Sequence, residues 1–297
     1  MIPIKEMLMK ITYKKFLGDI DSFVKTPIIL TIDNKDPYAL MWASEKNIEK
    51  IKDIELGTII CSEKVGEFRP SCNYILCVNP RLTFQDILTN FFIEEETPYV
   101  SIDASIHPNA KIGKNVSIGN NVIIEKDCIV GDFVKIDHNT VIKHGTEIRA
   151  KVKIGSNCTI GGVGFGYELN EQNKYVLIPH LGNVILMESV EIGNNTCIDR
   201  AVLGSTILEE NVKVDNLVHI AHGVSIGRNT LVIANSMIAG STRVGENVWI
   251  APSASILNKK NVGDNSYIGM GAVVIKDVGE NQTIIGNPGK VLTKSEK

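Results

Sequence analysis

From Ile106 onward an aliphatic residue returns at every sixth position: Ile112, Ile118, Ile124, Val130, Ile136, Ile142, Ile148, Ile154 and Ile160. A second run passes without a slip through Val214, Ile220, Ile226, Val232, Ile238, Val244, Ile250, Ile256, Val262, Ile268 and Val274. With aliphatic residues at about a quarter of positions, ten successive hits arise by chance about once in a million. Two positions before many of these residues sits a second branched one, such as Val116, Val122, Val134, Val152, Val218, Val224 and Val248. Gly often follows, as in Ile112-Gly113, Ile154-Gly155 and Val244-Gly245.

A period of six matches neither an amphipathic helix nor a meander of hairpins. It matches a parallel β-helix, in which each hexapeptide is one short strand and one turn and about 18 residues complete a coil. The aliphatic residue points into the prism. Gly, Asn and Asp are expected at the corners, where unusual backbone angles cost them least. Stacked coils pair their backbone groups with one another and leave open edges only at the two ends.

Two stretches break the count. Residues 161–183 (GGVGFGYELNEQNKYVLIPHLGN) carry no hexads and must leave the prism as a loop, the kind of place where function concentrates. A shorter slip lies between Ile198 and Leu208. Residues 1–100 show no hexads either. They combine a charged segment at 44–54 with apolar runs at 57–61 and 74–78, which predicts a small α/β domain. The expected organisation is therefore 1–100 as the α/β domain, 101–276 as the β-helix with its loop 161–183, and 277–297 as a short tail.

Composition adds boundaries. The formal net charge of −3 supplies no field that would gather nucleic acid. No stretch reaches the roughly 18 apolar residues of a membrane span, and the first residues lack the pattern of a signal peptide. A cytoplasmic protein is expected. The six cysteines are dispersed without CxxC spacing and read as reduced core thiols.

Among the six histidines, His107, His138 and His144 fall at turns of the first run. No histidine pair has metal-ligand spacing, so no metal site is expected. His219 and His222 lie in VDNLVHIAHGVSIG. His222 is two residues beyond the inward Ile220, at a corner, where a neutral imidazole could take a proton from an attacking amine or hydroxyl. Eighteen residues on, Gly240 should stack over it. A glycine N–H at a corner can donate to a developing oxyanion. A base and an oxyanion donor on adjacent coils is what acyl transfer from a thioester requires. Gly162 to Tyr167 (GVGFGY) does not follow a strand and open a helix, so it is not a dinucleotide-binding loop. Trp42 could stack on a base or belong to the core of the small domain.

With these residues named, the chain resembles the UDP-3-O-acylglucosamine N-acyltransferases of lipid A biosynthesis over nearly its whole length. GFGY at 164–167, PHLGNV at 179–184, IDR at 198–200, DN at 215–216, IAH at 220–222 and AGST at 239–242 carry the resemblance. Trp42 lies near that family's stacking aromatic, and Val78-Asn79-Pro80 matches its Asn-Pro turn. The resemblance implies a left-handed prism and a homotrimer with sites between subunits. It implies His222 as general base, Gly240 as oxyanion donor and His219 beside them. Trp42, Asn79, Asp215, Asn216, Phe165 and His180 are the implied contacts to a nucleotide sugar. Lys259, Gly271 and Ala272 are the implied donor contacts. No tightly bound cofactor is implied; the donor is acyl-coenzyme A or an acyl carrier protein, whose phosphopantetheine arm runs along the groove.

Three departures stand out. Lys259 occupies the place of a second family histidine, His219 replaces the usual Gln, and the chain stops at Lys297 where the family continues into a helical extension. The segment from WIAPSASI to IIGNPGKVL is similar instead to coenzyme A-dependent sugar acetyltransferases of surface-polysaccharide synthesis. A short-chain N-acyltransferase acting on a nucleotide-linked amino sugar is thus the competing expectation, with sugar O-acylation and a non-catalytic scaffold behind it.

Overall fold

The computed structural model describes residues 1–65, 68–94 and 96–291. The chain divides into two compact units, Met1–Glu96 and Thr97–Lys297.

The first unit is built on a five-stranded sheet. Lys15–Leu17 pairs antiparallel with Cys72–Leu76, and Gly57–Cys61, Ala39–Trp42 and Thr26–Pro27 follow in parallel. The apolar runs expected as strands are the central strand, Gly57–Cys61, and its neighbour Cys72–Leu76, both mostly buried. The charged 44–54 stretch forms a 3-10 helix at Glu45–Asp53. The helix Pro80–Phe91 starts with Asn79 as N-cap, whose side chain accepts from Leu82 N–H at 3.2 Å, and with Pro80 where no amide donor is needed.

The second unit is a parallel β-helix. Its three faces are sheets of ten, nine and eight short strands, stacked coil on coil. Registers keep the hexads aligned: Ile118 faces Ile136, which faces Ile154. The aliphatic positions of both runs fill one continuous core from Val116 to Ile284, flanked by the partly buried Ile106 and Ile112. Removing one such side chain costs ~2–5 kcal/mol. Buried hydroxyls close the turns. Thr230 Oγ1 donates to Gly245 O at 2.8 Å and accepts from Val248 N–H at 3.0 Å.

The corners divide their tasks differently from the sequence expectation. The second turn residue takes the left-handed conformation at most corners, and it is mostly asparagine, as at Asn115, Asn121, Asn139 and Asn157 with φ 54–60°. Apart from Gly161, with φ 87°, the glycines that follow the aliphatic residues do not adopt it. They are needed for close approach: a Cβ on Gly113 would lie 2.6 Å from the Asp132 carboxylate and from the backbone of the next coil.

Past residue 276, where a tail was expected, the prism continues. Thr283–Ile285 pairs in parallel with Tyr267–Ile268, and Ile284 is buried in the core. Residues 292–297 of that tail lie outside the described residues. Five cysteines are buried, whereas Cys197 is exposed because its strand position turns outward. Among the described residues, no helix is long and apolar enough to cross a membrane.

Candidate active site

The interruption at 161–183 is a hairpin. The strand Thr159–Val163 runs past its corner, Tyr167–Leu169 pairs antiparallel with Tyr175–Leu177, and Asn183–Leu186 returns to the prism. The second slip places Arg200 beneath the gap this leaves. Its buried guanidinium donates to Gly161 O at 2.8 Å and to His144 O at 2.7 Å, satisfying carbonyls at the interrupted corner.

The hairpin brings Phe165 and His180 to the corner of His222. The rings of His180 and His222 meet edge to face, with centroids 5.4 Å apart. His180 Nδ1 lies 2.7 Å from Ile178 O, so it carries the proton and leaves Nε2 as a bare acceptor. That Nε2 is buried and has no partner. Gly164 makes this packing possible, since a Cβ there would come within 2.9 Å of His180 Nε2 and 3.0 Å of His222 Cβ.

His222 and Gly240 occupy the same corner on successive coils. Ser241 N–H donates to His222 O at 2.9 Å, and Lys259 N–H donates to Gly240 O at 2.9 Å. A Cβ on Gly240 would fall 2.6 Å from His222 Nε2, so the imidazole occupies the volume that any other side chain would need. Among the described residues, no acceptor lies within hydrogen-bond reach of Gly240 N–H. Burial, reinforced by His180, holds the His222 pKa below the ordinary imidazole value, which favours the neutral base form.

A groove of about 340 Å³ runs along this corner, lined by Phe165, Asp199, His219, Met237, Asn258 and Lys259 together with His222 and Gly240. Asp199 and His219 face one another, with Oδ2 to Nε2 at 3.6 Å. Burial raises the Asp199 pKa, while His219 and His180 oppose the shift.

The expected site residues therefore separate into groups. His222, Gly240, His219, Phe165, His180 and Lys259 come together. Asp215 and Asn216 do not line this groove. They sit at the opposite end of the His219–Ile220 face and cap turns: Asp215 accepts from Asn216 N–H at 2.7 Å and Ala234 N–H at 3.2 Å, and Asn216 accepts from Asn194 N–H at 2.6 Å. Gly271 is a left-handed corner residue, φ 65°, whose N–H donates to Pro252 O on the preceding coil. Ala272 was expected at the donor site and is instead fully buried in the prism core, because its position is the inward one preceding a strand. In the first unit Asn79 is committed to its helix cap. Trp42 is half-buried and packs against Phe84 with centroids 6.4 Å apart. Asp199, Ser241 and Asn258 line the groove without having been singled out from the sequence. Asn258 was accessible to counting, being one coil beyond Gly240. Asp199 was not, because the slip puts it 22 residues before Ala221 rather than 18.

Comparison with known proteins agrees with this architecture. The bacterial transferase hexapeptide (six repeats) model matches residues 103–138 and 127–162. A curated UDP-3-O-acylglucosamine N-acyltransferase of Syntrophotalea carbinolica is 43% identical over 217 residues, covering 67% of this chain and 62% of that protein. One of Caulobacter vibrioides is 52% identical over 143 residues, covering 48% of this chain and 42% of that protein. Other curated relatives of the same name are matched over only 24% or 25% of their length, so the chain spans less than two thirds of these relatives. Among solved structures, a UDP-N-acetylglucosamine acyltransferase from Campylobacter jejuni superposes with TM-score 0.58 at 19% identity, over 66% of this chain and 74% of that one, a likeness of fold. The chain is thus a hexapeptide-repeat β-helix protein with curated relatives named UDP-3-O-acylglucosamine N-acyltransferase.

Proposed function

We propose that the protein is an N-acyltransferase that moves an acyl group from a phosphopantetheine thioester to the amino group of a nucleotide-linked amino sugar. The observation that carries this reading is the His222–Gly240 corner: a base whose pKa is lowered, packed where a Cβ on Gly240 would lie, beside a backbone N–H with no hydrogen-bond partner among the described residues. The amine nitrogen attacks the thioester carbonyl. As the N–C bond forms, His222 Nε2 takes the amine proton and Gly240 N–H donates to the oxyanion. Collapse of the intermediate breaks the C–S bond, and His222 returns the proton to the departing thiol. The hairpin carrying Phe165 and His180 packs against the base and shields one side of it from water.

The relatives' name supports UDP-3-O-acylglucosamine as the acceptor and a place in lipid A synthesis. A homotrimer in the cytoplasm, with no tightly bound cofactor, completes the reading. The donor is an acyl carrier protein. The alternative, a short acyl group carried by coenzyme A, is favoured by Lys259 at the groove, a cation suited to the nucleotide phosphates of that carrier. Assaying the purified protein with UDP-linked amino sugars and either hydroxyacyl carrier protein or short-chain acyl-coenzyme A tests both. Amide formation from the carrier protein alone supports the first reading, and formation from coenzyme A alone supports the second. No amide product from either rejects the assignment.

A further inference from the structure

One outward column on the His219–Ile220 face has an unusual composition. Gly162 and Asp199 pair across adjacent coils, and Ala221 and then Ala239 follow on the coils beyond. In this column only Asp199 carries a polar group. Ala221 and Ala239 leave a trough above it, and both line the groove that contains His222 and Gly240. The Asp199 side chain is 14% exposed. Its nearest titratable neighbour is His219, at 3.6 Å, beyond hydrogen-bond reach, and His180 is the other titratable group acting on it. Phe165 and Met237 add apolar surface to the groove, which also holds Ser241, Asn258 and Lys259. A carboxylate this withdrawn from water, facing an imidazole but accepting no hydrogen bond among the described residues, attracts a cation far more strongly than an exposed one does.

Resting on the N-acyltransferase reading, we propose that Asp199 is the specificity-determining residue for the acceptor: it receives the ammonium form of the sugar's amino group and so selects an amine over a hydroxyl at the reacting carbon. A hydroxyl in the same place offers one weak donor and no charge, and it leaves the carboxylate without compensation. His222 does not discriminate in this way, since an imidazole accepts a proton from either nucleophile. One proton passes from the ammonium to water before attack, and His222 takes the next as the N–C bond forms. His219 is the competitor for Asp199, a neighbour that the arriving amine displaces.

Calorimetric binding of UDP-glucosamine and UDP-glucose, which differ at one substituent, tests this without relying on turnover. The wild-type protein should bind UDP-glucosamine about tenfold more tightly, the scale of a partly buried charge pair. Asp199→Asn, which preserves shape and removes charge, should abolish that preference while leaving UDP-glucose binding unchanged. His219→Gln should widen the preference by removing the competing imidazole. Equal wild-type affinity for the two sugars, a preference that survives in Asp199→Asn, or failure to bind either sugar would overturn the proposal. Melting curves identify a variant that does not fold, in which case Asp199→Ser serves as the second uncharged replacement. A wild-type protein that shows the Asp199-dependent preference yet forms no amide with any donor would reject the acyltransferase reading and keep this one.

Discussion

Two neighbouring corners of the same prism, alike in construction and different in purpose, show how this fold makes a site. At Glu246 the first turn residue presents its N–H to the next coil, and Asp264 accepts it at 2.8 Å. Lys114 and Asp132 repeat the arrangement lower in the prism, at 2.7 Å. At Gly240 the residue one coil on is Asn258, which could cap the N–H in the same way and forms no such bond among the described residues. The backbone is the same in both places. What differs is that the cap is withheld and an imidazole from the preceding coil occupies the space a side chain would fill. Corner N–H groups without a cap also occur among the described residues at Ala150 and Arg228, so what sets Gly240 apart is the base packed against it.

The most severe way to break this contrast is to remove the base. His222→Ala should lower turnover by roughly 10²-fold or more, with unchanged oligomeric mass and circular dichroism; a folded variant with near-normal turnover would remove His222 from the mechanism. Gly240→Ala should come next, because its Cβ would sit 2.6 Å from His222 Nε2. Displacing the imidazole and obstructing the donor is expected to cost about 10²-fold in kcat, and the check is kcat against the melting temperature, which should barely move. The capped corner should behave in the opposite way. Asp264→Ala strips the acceptor from Glu246 N–H and should cost about 1 kcal/mol in chemical denaturation with kcat intact; lost activity there would mean that the two corners are not functionally distinct.

The smallest expected effect concerns protonation. Burial lowers the His222 pKa, so the neutral base persists below the ordinary imidazole range near about 6.5. The acid limb of the activity profile should therefore lie below that value, with activity lost only as the pH falls through the lowered pKa. His180→Ala exposes His222 to water and removes the neighbouring imidazole, so the limb should move upward toward the ordinary value. An acid limb that stays put would assign His180 to another task than shielding the base.

Much of the prism and part of its site are legible in the order of the residues. Counting sixes places His222 and Gly240 one coil apart, and counting alone exposes the hairpin as a break in the repeat. The count fails where the chain departs from it. Asp199 and Ala221 are neighbours across coils at an interval of 22 residues, not 18, because the slip after Arg200 adds to the loop. His180 reaches His222 only because the hairpin folds back, a non-local contact that no period encodes. Ala272 illustrates the converse error, a residue assigned by motif whose position in the hexad turns it inward.

The division has a physical basis. The repeat is local: six residues suffice to decide which side chain is apolar and inward and which residue takes the left-handed corner, so the sequence by itself determined the coil, the core and the stacking of His222 beneath Gly240. Whether a corner N–H is capped, which way a carboxylate faces and what shields a base depend on distances between residues far apart in the chain. Only the tertiary structure decided those, because desolvation and hydrogen-bond satisfaction belong to the assembled neighbourhood and not to any single hexapeptide.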